Sequence, residues 1–347
     1  MISGQESKPM TAAEFFLKMP KVEIHVHLEG ATSSKTIWEM AQRNGVKLPA
    51  ETESEWRQFF DYRDFEHFVQ VYCAGTAAML TLDDWSLMID RFMQEQARQN
   101  IIYSEVFISA SHHLDRHNWA DWISVMKDAL EAGKEKYGVS AALIPDISRE
   151  MPATQGRVLD FVLQAQKAGI AIGIGLGGVE ADFPPSMFVE TYKEARANGL
   201  HSLVHAGETA EPDSIRQAID LLGAERIGHG VRVLESEELI QELAESKIPF
   251  EVNPTSNYCI GVTSKDAPHP IHEMNRRGLQ VTVNSDDPAM FNTSLTSEYE
   301  LLHKQGMSID ELVKLAARGI KSTFAPDSVK ENQLQQLRQF ELSFSVN

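Results

Sequence analysis

Seven ionisable side chains lie at the ends of four short apolar segments of this 347-residue sequence. The segments are "KVEIHVHLEG", "LVHAGE", "RIGHG" and "VTVNSDDP", and the side chains are His25, His27, His205, Glu208, His229, Asp286 and Asp287. Imidazole and carboxylate groups bind zinc and similar divalent ions, and they transfer protons in hydrolysis. Each side chain alone is typical of a structural residue, but the whole set predicts a metal-dependent hydrolase.

The first segment predicts a β-strand with one apolar face and one polar face. Its apolar residues alternate with Glu23, His25, His27 and Glu29, and a period of two residues is typical of a strand. This polar face is expected to point into the interior, where an unpaired imidazole would be costly. We therefore expect His25 and His27 to share one ion, which a third imidazole and a carboxylate from other segments complete.

The other ionisable residues suit proton transfer and substrate binding. A divalent ion bound by three neutral imidazoles and one carboxylate keeps a positive charge, which lowers the pKa of a bound water to about 7. Glu208 follows His205 on the same loop, and burial would raise its pKa so that it can donate a proton. His229, between two glycines, is placed to orient or deprotonate the water. Asp287 faces a different direction from Asp286 and is better placed for substrate.

Eight short apolar runs alternate with helical patterns along the chain. They span residues 22–28, 101–109, 139–148, 171–177, 201–206, 226–230, 248–253 and 279–284. This alternation predicts an α/β fold with a parallel sheet, and eight units predict a closed (β/α)8 barrel of the TIM type, a single domain over residues 1–347. An open doubly wound sheet is the alternative. In a barrel, the carboxyl ends of the strands meet at one rim, where the seven side chains would converge.

Residues 31–100 form an interval that is too long for an ordinary connection between the first two strands. Helical patterns occur near 36–44, 65–79 and 83–99. The interval therefore predicts a helical insertion at the mouth of the barrel, where it would act as a lid over the site. An additional packed layer of helices is the alternative. The segment from residue 308 onward predicts helices that close the barrel.

The composition argues against several classes of partner. The formal net charge is −18, and such an acidic surface repels nucleic acid and anionic membranes. With only Cys73 and Cys259, one chain can build neither a disulfide framework nor a cysteine zinc site. The first twenty residues lack the apolar core of a signal peptide, and no segment has the length of a transmembrane helix. We expect a cytoplasmic protein; its oligomeric state is not predicted.

The motifs resemble those of the adenosine deaminase family in the amidohydrolase superfamily, from "MPKVEIHVHLEGA" through "LVHAGE" and "RIGHG" to "VTVNSDDP". The resemblance implies a barrel with one zinc ion per chain, which hydrolyses the 6-amino group of a purine nucleoside such as adenosine to a 6-oxo group. The implied metal ligands are His25, His27, His205 and Asp286. The fourth strand, "AIGIGLGG", contains no lysine or carboxylate that could bridge a second metal, so a single ion follows from the sequence itself.

The resemblance also implies a role for each remaining residue of the site. Glu208 would protonate N1 of the purine, His229 would align the attacking hydroxide, and Asp287 would contact the attacking water and N7. Substrate contacts are implied for His27, Glu29, Gly178 and Asp287. Glu29 would lie at the ribose, and the backbone N–H of Gly178 would donate to the purine ring. Because a free base has no hydroxyl groups for a buried Glu29, adenosine is expected rather than adenine.

Some positions depart from the family pattern and leave the substrate open. Phe107 stands where adenosine deaminases usually carry an arginine, and Val179 precedes Glu180 where a carboxylate pair is usual. Free adenine and aminodeoxyfutalosine are alternative substrates for the same chemistry, and Arg149 could pair with the carboxylate of the latter. A catalytically inactive binding barrel is the alternative from another class. The segment "SHHLDRH" (111–117) is expected to be a solvated loop, with a lining of the mouth by His112, His113 and His117 as the alternative.

Overall fold

Eight strands form one parallel sheet in the computed structural model, which describes residues 10–343. They are β1 (Lys21–His27), β2 (Ile101–Ile108), β3 (Ser140–Ser148), β4 (Gly173–Gly177), β5 (His201–Ala206), β6 (Arg226–His229), β7 (Pro249–Val252) and β8 (Gln280–Val283). Each strand pairs with the next one in the order of the chain. The eight predicted strands are therefore confirmed apart from their end residues.

The first and last strands close the sheet into a barrel. The amide group of His27 donates to the carbonyl oxygen of Asp286 over 2.8 Å, and the amide group of Asp286 donates to the carbonyl oxygen of His25 over 3.2 Å. Further along β1, the amide group of Ile24 donates to Oδ1 of Asn284 over 3.0 Å. The predicted (β/α)8 barrel is confirmed. Its closure places two histidines of β1 beside the aspartate that follows β8.

Sixteen α-helices accompany the strands within residues 10–343. Those before β2 are α1 (Ala12–Lys18), α2 (Leu28–Ala31), α3 (Ser34–Asn44), α4 (Glu53–Phe60), α5 (Phe65–Ala78) and α6 (Leu82–Arg98). Those after β2 are α7 (Trp119–Tyr137), α8 (Gln155–Lys167), α9 (Val189–Ala197), α10 (Pro212–Asp220), α11 (Glu237–Ser246), α12 (Pro254–Cys259), α13 (Ile271–Arg276), α14 (Leu295–Lys304), α15 (Ile309–Ser322) and α16 (Asp327–Ser343). No helix in this part of the chain is long and apolar enough to cross a bilayer.

Helices α3 to α6 form the insertion between the first two strands. The ring centroids of Phe68 and Phe291 lie 4.8 Å apart, and the hydroxyl group of Tyr72 lies 2.8 Å from Oγ of Ser109. The insertion therefore contacts residues that follow β2 and β8, at the carboxyl ends of the strands. The sequence patterns missed α1 and α4, although each begins with a capping box of the form Thr-x-x-Glu.

A register shift in β1 divides the polar residues that the sequence pattern placed on one face. Between Glu23 and Val26, two residues of β1 lie opposite a single residue of β2. Oε2 of Glu23 accepts a hydrogen bond of 3.0 Å from Gln96 of α6, on the outer side of the barrel. The expectation of a single inward row was wrong, because Glu23 points outward whereas His25 and His27 point to the centre.

Candidate active site

The ends of β1 and β5 and the segment after β8 bring the four predicted metal ligands together. Nε2 of His25 lies 3.3 Å from Oδ1 of Asp286, and Nε2 of His27 lies 3.4 Å from the same oxygen. Nε2 of His27 is also 3.3 Å from Nε2 of His205. Two ligand atoms that are each about 2.0–2.1 Å from a tetrahedral zinc ion lie roughly 3.3–3.4 Å apart. The spacing therefore fits one tetrahedral ion.

The hydrogen bonding of His25 also fits a metal ligand. Its Nδ1 lies 2.7 Å from Oε2 of Glu251, whereas its buried Nε2 has no hydrogen-bond partner among residues 10–343. A carboxylate that accepts the Nδ1 proton leaves Nε2 with a free lone pair, which is the form that binds a metal. A donor set of imidazole nitrogens and one carboxylate oxygen suits zinc and similar divalent ions.

His229 is close enough to be considered as a ligand in place of His27. One group of ligand atoms lies within 4.8 Å of one another and comes from His25, His205, His229 and Asp286. However, Nδ1 of His229 lies 3.1 Å from Oε1 of Glu208 and 3.1 Å from Nδ2 of Asn257. Its Nε2 lies 3.8 Å from Oδ2 of Asp286. These contacts join His229 to a carboxyl group, which is the arrangement of a proton-transfer pair.

Burial sets the charge states of this pair in opposite directions. It lowers the pKa of His229 to about 4, although the charge of Asp286 opposes the change. It raises the pKa of Glu208 well above the usual range, together with the charges of Asp286 and Glu180. His229 is therefore neutral at neutral pH and can accept a proton, whereas the raised pKa of Glu208 favours the protonated carboxyl group, which can donate one. The shift of Glu208 agrees with the direction expected from burial.

Two residues of the site adopt a left-handed backbone conformation although they are not glycine. The φ angle is 61° at His229 and 66° at Asp286. Such angles are unfavourable for residues with a side chain, and they concentrate at functional sites. Gly230 follows with a φ of 64°, so the chain turns sharply directly after the imidazole.

The carboxylate of Glu180 holds the loop that carries Glu208. Its oxygens accept hydrogen bonds of 2.6–3.1 Å from the amide groups of residues 207–210, and one of 2.6 Å from Oγ of Ser214. Burial opposes ionisation of Glu180, but hydrogen bonds from Ala210 and Ser214 outweigh it and lower its pKa. In the sequence, Glu180 stood out only as half of an incomplete carboxylate pair, so this role was missed.

Three charged side chains fill the barrel beneath His25, toward the amino ends of the strands. Nε of Arg226 lies 2.5 Å from Oε1 of Glu251, and its Nη1 lies 2.5 Å from Oε2 of Glu105. Nη1 also donates to the carbonyl oxygen of Ser322, at the end of α15, over 2.8 Å. The charged groups are at most 1% exposed. Their sequence signal was a charged residue inside an apolar run, but the sequence does not show that they pair across the barrel.

Another buried carboxylate, Asp146 near the end of β3, has no such partner. It is 3% exposed, its Oδ1 has no hydrogen-bond partner within residues 10–343, and its Oδ2 lies 4.0 Å from Nδ1 of His27. Burial raises the pKa of Asp146 to about 8, against the opposing charge of His27. The signal in the sequence was an aspartate within the apolar run "ALIPDIS", and it was missed.

Glu29 does not continue the alternation of β1, because it lies in α2. Its Oε1 accepts a hydrogen bond of 2.9 Å from the amide group of Ser109 and lies 3.5 Å from Nε2 of His113. Its Oε2 is buried without a hydrogen-bond partner in the described part of the chain. His113 is fully buried, and its ring centroid lies 4.9 Å from that of Trp85. The expectation of a solvated loop was therefore wrong for His113.

Asp287 and Gly178 are the remaining predicted substrate contacts. The position of Asp287 requires a glycine at residue 30, and the backbone conformation at residue 178 favours glycine. Asp287 is 7% exposed, and its Oδ1 has no hydrogen-bond partner among the described residues. Burial and the charge of Asp286 raise the pKa of Asp287 to about 7. A Cβ atom on Gly30 would lie 1.7 Å from Oδ1 of Asp287, so only glycine fits there. Gly178 has a φ of 90°, which allows the turn directly after β4.

Arg149 and Phe107 support the frame of the site. Arg149 is fully buried and donates to the carbonyl oxygens of Phe183, over 2.7 Å, and of His205. Both Nη groups of Arg149 are therefore occupied by carbonyl oxygens of the protein, which argues against the alternative that it pairs with a carboxylate of the substrate. The ring centroid of Phe107 lies 5.1 Å from that of His27, in a stacked arrangement, so Phe107 forms an apolar wall beside the imidazole.

Comparison with known proteins shows that the chain is similar to deaminases. A family model described as "Adenosine deaminase" matches residues 20–340. The chain belongs to the adenosine deaminase family. The adenine deaminase of Bordetella parapertussis is 36% identical to this family member over 310 residues, which cover 88% of this chain and 97% of that protein.

Two solved structures share the fold over nearly their full length. The adenine deaminase from Arthrobacter aurescens is 33% identical, with a TM-score of 0.87 and coverage of 93% of this chain and 99% of that one. An amidohydrolase from Burkholderia ambifaria, solved with bound Zn, is 27% identical, with a TM-score of 0.87 and coverage of 99% and 98%. The expectation of a metal-dependent, hydrolytic aminopurine deaminase of this superfamily is confirmed, and the chain has a His/Asp cluster that fits the metal.

Proposed function

We propose that this enzyme is a zinc-dependent adenine deaminase, which hydrolyses the 6-amino group of free adenine and releases hypoxanthine and ammonia. The observation that carries the choice of substrate is the similarity to two adenine deaminases, at 36% and 33% identity, over nearly the full length of each. Adenosine, which the family pattern suggested, has less support than the alternative of the free base.

The surroundings of Glu29 remove the main argument for a ribose. Its Oε1 already has partners inside the protein, in the amide group of Ser109 and the ring of His113, so only Oε2 remains for a ligand. Free adenine has an N–H group on its five-membered ring that a nucleoside lacks, because N9 of the nucleoside carries the sugar. The N–H group of free adenine can therefore donate to Oε2 of Glu29 as well as a ribose hydroxyl group can. The hydroxyl group of Tyr72 of α5 lies 2.8 Å from Oγ of Ser109, the residue whose amide group donates to Glu29.

For the metal, we propose one zinc ion with four protein ligands. They are His25, His27, His205 and Asp286. The separations of 3.3–3.4 Å among their ligand atoms support this set, and the relative solved with bound Zn supports the choice of ion. When bound, the ion would act as a Lewis acid that makes water nucleophilic near neutral pH.

The remaining residues move protons and orient the base. Attack of water at C6 builds electron density at N1, and the protonated carboxyl group of Glu208 delivers a proton there. His229, which is neutral, accepts a proton of the attacking water and then passes it to the 6-amino group, so that the C6–N bond breaks and ammonia leaves. The added hydroxyl group returns its proton to the carboxylate of Glu208 as the 6-oxo group forms. Asp287 has a free Oδ1 with which to contact the water and N7, and the backbone N–H of Gly178 would donate to the ring.

A substrate panel tests the proposal. Purified enzyme loaded with zinc is assayed on adenine, adenosine and aminodeoxyfutalosine by the change in ultraviolet absorbance on deamination. We expect the highest kcat/KM for adenine, by at least an order of magnitude. A Glu208→Gln variant prepared in the same way controls for a contaminating host deaminase. A preference for adenosine would overturn the choice of the free base, and no turnover of any purine would overturn the reaction.

A further inference from the structure

Asp146 is a buried carboxylate that the proposed reaction does not use. It is 3% exposed, and its Oδ1 has no hydrogen-bond partner within residues 10–343. An unpaired carboxylate in the interior is strongly unfavourable. A residue that is kept there at such a cost is expected to have a partner in the working enzyme, and Nδ1 of His27 lies 4.0 Å from its Oδ2.

Two glycines of β4 leave the space that Asp146 occupies. Asp146 pairs with Gly175 in the register of β3 and β4. A Cβ atom on Gly175 would lie 2.8 Å from Cβ of Asp146 and 2.9 Å from Cε1 of Phe107, and one on Gly177 would lie 3.3 Å from Oδ2 of Asp146. Neither glycine is among the described residues with a positive φ angle, so their backbones do not require glycine. Glycine at these two positions instead leaves space for Asp146 of the neighbouring strand β3.

The other histidine of β1 shows what such a carboxylate does. Nδ1 of His25 lies 2.7 Å from Oε2 of Glu251. Metal-binding histidines usually donate the second ring N–H to a carboxylate or carbonyl, which fixes the tautomer and the orientation of the ring. His27 has its Nε2 in the metal cluster and its Nδ1 toward Asp146, so it repeats the arrangement at a longer distance.

We propose that Asp146 is a positioning residue of the metal centre, whose carboxylate accepts the Nδ1 proton of His27 and thereby directs Nε2 toward the ion. Gly175 leaves room for Asp146, because a Cβ atom there would lie 2.8 Å from Cβ of Asp146, and Gly177 leaves room for its carboxylate, which a Cβ atom would approach to 3.3 Å. The inference rests on the metal centre of the proposed function and does not depend on which purine is the substrate.

The test measures zinc affinity and the stability of the metal-free protein separately. Zinc affinity is measured by competition with a chelator, and stability by thermal unfolding of the apo protein. Asp146→Asn and Asp146→Ala are expected to weaken zinc binding by about 10–100-fold. Asp146→Asn is also expected to leave the apo protein about as stable as the wild type, because it replaces a buried carboxyl group, whose Oδ1 has no hydrogen-bond partner among residues 10–343, by a neutral group of the same shape. A purely structural residue would lower stability and leave the affinity unchanged.

Gly175→Ala provides an independent perturbation from the neighbouring strand. We expect it to weaken zinc binding to a similar extent. The double variant Gly175→Ala/Asp146→Asn should bind zinc as tightly as the single variant with the lower zinc affinity, because both substitutions act through one contact. Gly156→Ala is the matched control, because a Cβ atom on Gly156 would meet nothing within 4 Å. It should leave the zinc affinity unchanged and, because Gly156 lies in α8, leave the apo protein as stable as the wild type or slightly more stable.

The results that would overturn the positioning role are distinguishable from the result that would overturn the proposed function. Wild-type zinc affinity in both Asp146 variants overturns the positioning role. Unchanged zinc affinity with a raised KM for adenine also overturns it, since the carboxylate would then face the ligand. A wild-type protein that binds no zinc overturns the proposed function itself.

Discussion

His25 and His27 stand two residues apart on β1, yet the protein holds them in different ways. On the side of β6 and β7, His25 contacts Glu251 at 2.7 Å, and Arg226 lies 2.5 Å from the other oxygen of that carboxylate. On the side of β3 and β4, His27 faces Asp146 at 4.0 Å across a glycine-lined space. The first side is a closed ion-pair network, whereas the second has carboxylate oxygens without partners. The difference shows that the ring of His25 is held by a direct contact with an ion-paired carboxylate, whereas the ring of His27 has no contact of that length with Asp146.

The largest expected effect concerns proton transfer by Glu208, which involves neither Glu251 nor Asp146. Glu208→Gln keeps the shape of the side chain but cannot deliver a proton, so we expect kcat to fall by about 10²–10⁴-fold. Zinc content should not change. Steady-state kinetics and metal analysis of the same sample check both points, with Glu211→Gln, an exposed neighbour, as the control. Turnover at the wild-type rate in Glu208→Gln would refute the acid role.

The closed side is tested by removal of its cation. Arg226→Met would leave two buried carboxylates without compensation, and breaking a buried ion pair in this way costs about 3–5 kcal/mol of the free energy of unfolding. Urea denaturation of the apo protein measures it. Arg276→Met, which removes an exposed ion pair with Glu273, should be indistinguishable from the wild type. If Arg226→Met were as stable as the wild type, the network would contribute nothing to holding His25.

Substitutions of Glu251 and Asp146 are expected to differ in their effect on the stability of the apo protein. Glu251→Gln should weaken zinc binding by about 10–100-fold, as expected for Asp146→Asn. It should also destabilise the apo protein, because Arg226 loses a charged partner, whereas Asp146→Asn should not. Chelator competition and thermal unfolding of both variants, measured side by side, decide the question. Equal losses of apo stability in the two variants would remove the distinction between the sides.

The smallest expected effect is the position of the acid limb of the pH profile. His229 must be neutral to accept a proton, so activity is lost as the pH falls through its pKa of about 4. Glu208 must be protonated, so activity is lost as the pH rises through its raised pKa. We expect kcat/KM to show no acid limb near 6.5, the usual pKa of histidine. An acid limb at that pH would show that burial does not lower the pKa of His229.

The sequence predicted the strands and the clustering of His25, His27, His205 and Asp286 because both depend on local patterns. The apolar runs are short and continuous, and the histidines and aspartates stand at their ends. The register shift in β1 depends on pairing with β2, which no local pattern records, so Glu23 was placed on the wrong face. His113 was placed in a solvated loop because its neighbours are polar, but Trp85 of the insertion covers it.

The partners of the metal ligands could not be predicted for a different reason. Glu251 and Asp146 are single charged residues inside apolar runs, and the run shows only that they are buried. Which group each one meets is decided across the barrel, where Arg226 and His27 come from strands that are distant in the chain. Arg149 shows the same limit, since its carbonyl partners belong to other segments.

The closure of the barrel between its first and last strands has a consequence for synthesis of the chain. Ile24 and Asn284, which join β1 to the end of β8, are 260 residues apart. At about 5–20 residues per second, the ribosome needs roughly 13–50 seconds to make the intervening chain. During that time the nascent β1 has its histidines but lacks Asp286 and its closing neighbour. The proposed metal centre would therefore form late, and the unpaired edge of β1 is the segment that needs protection until the final strand emerges.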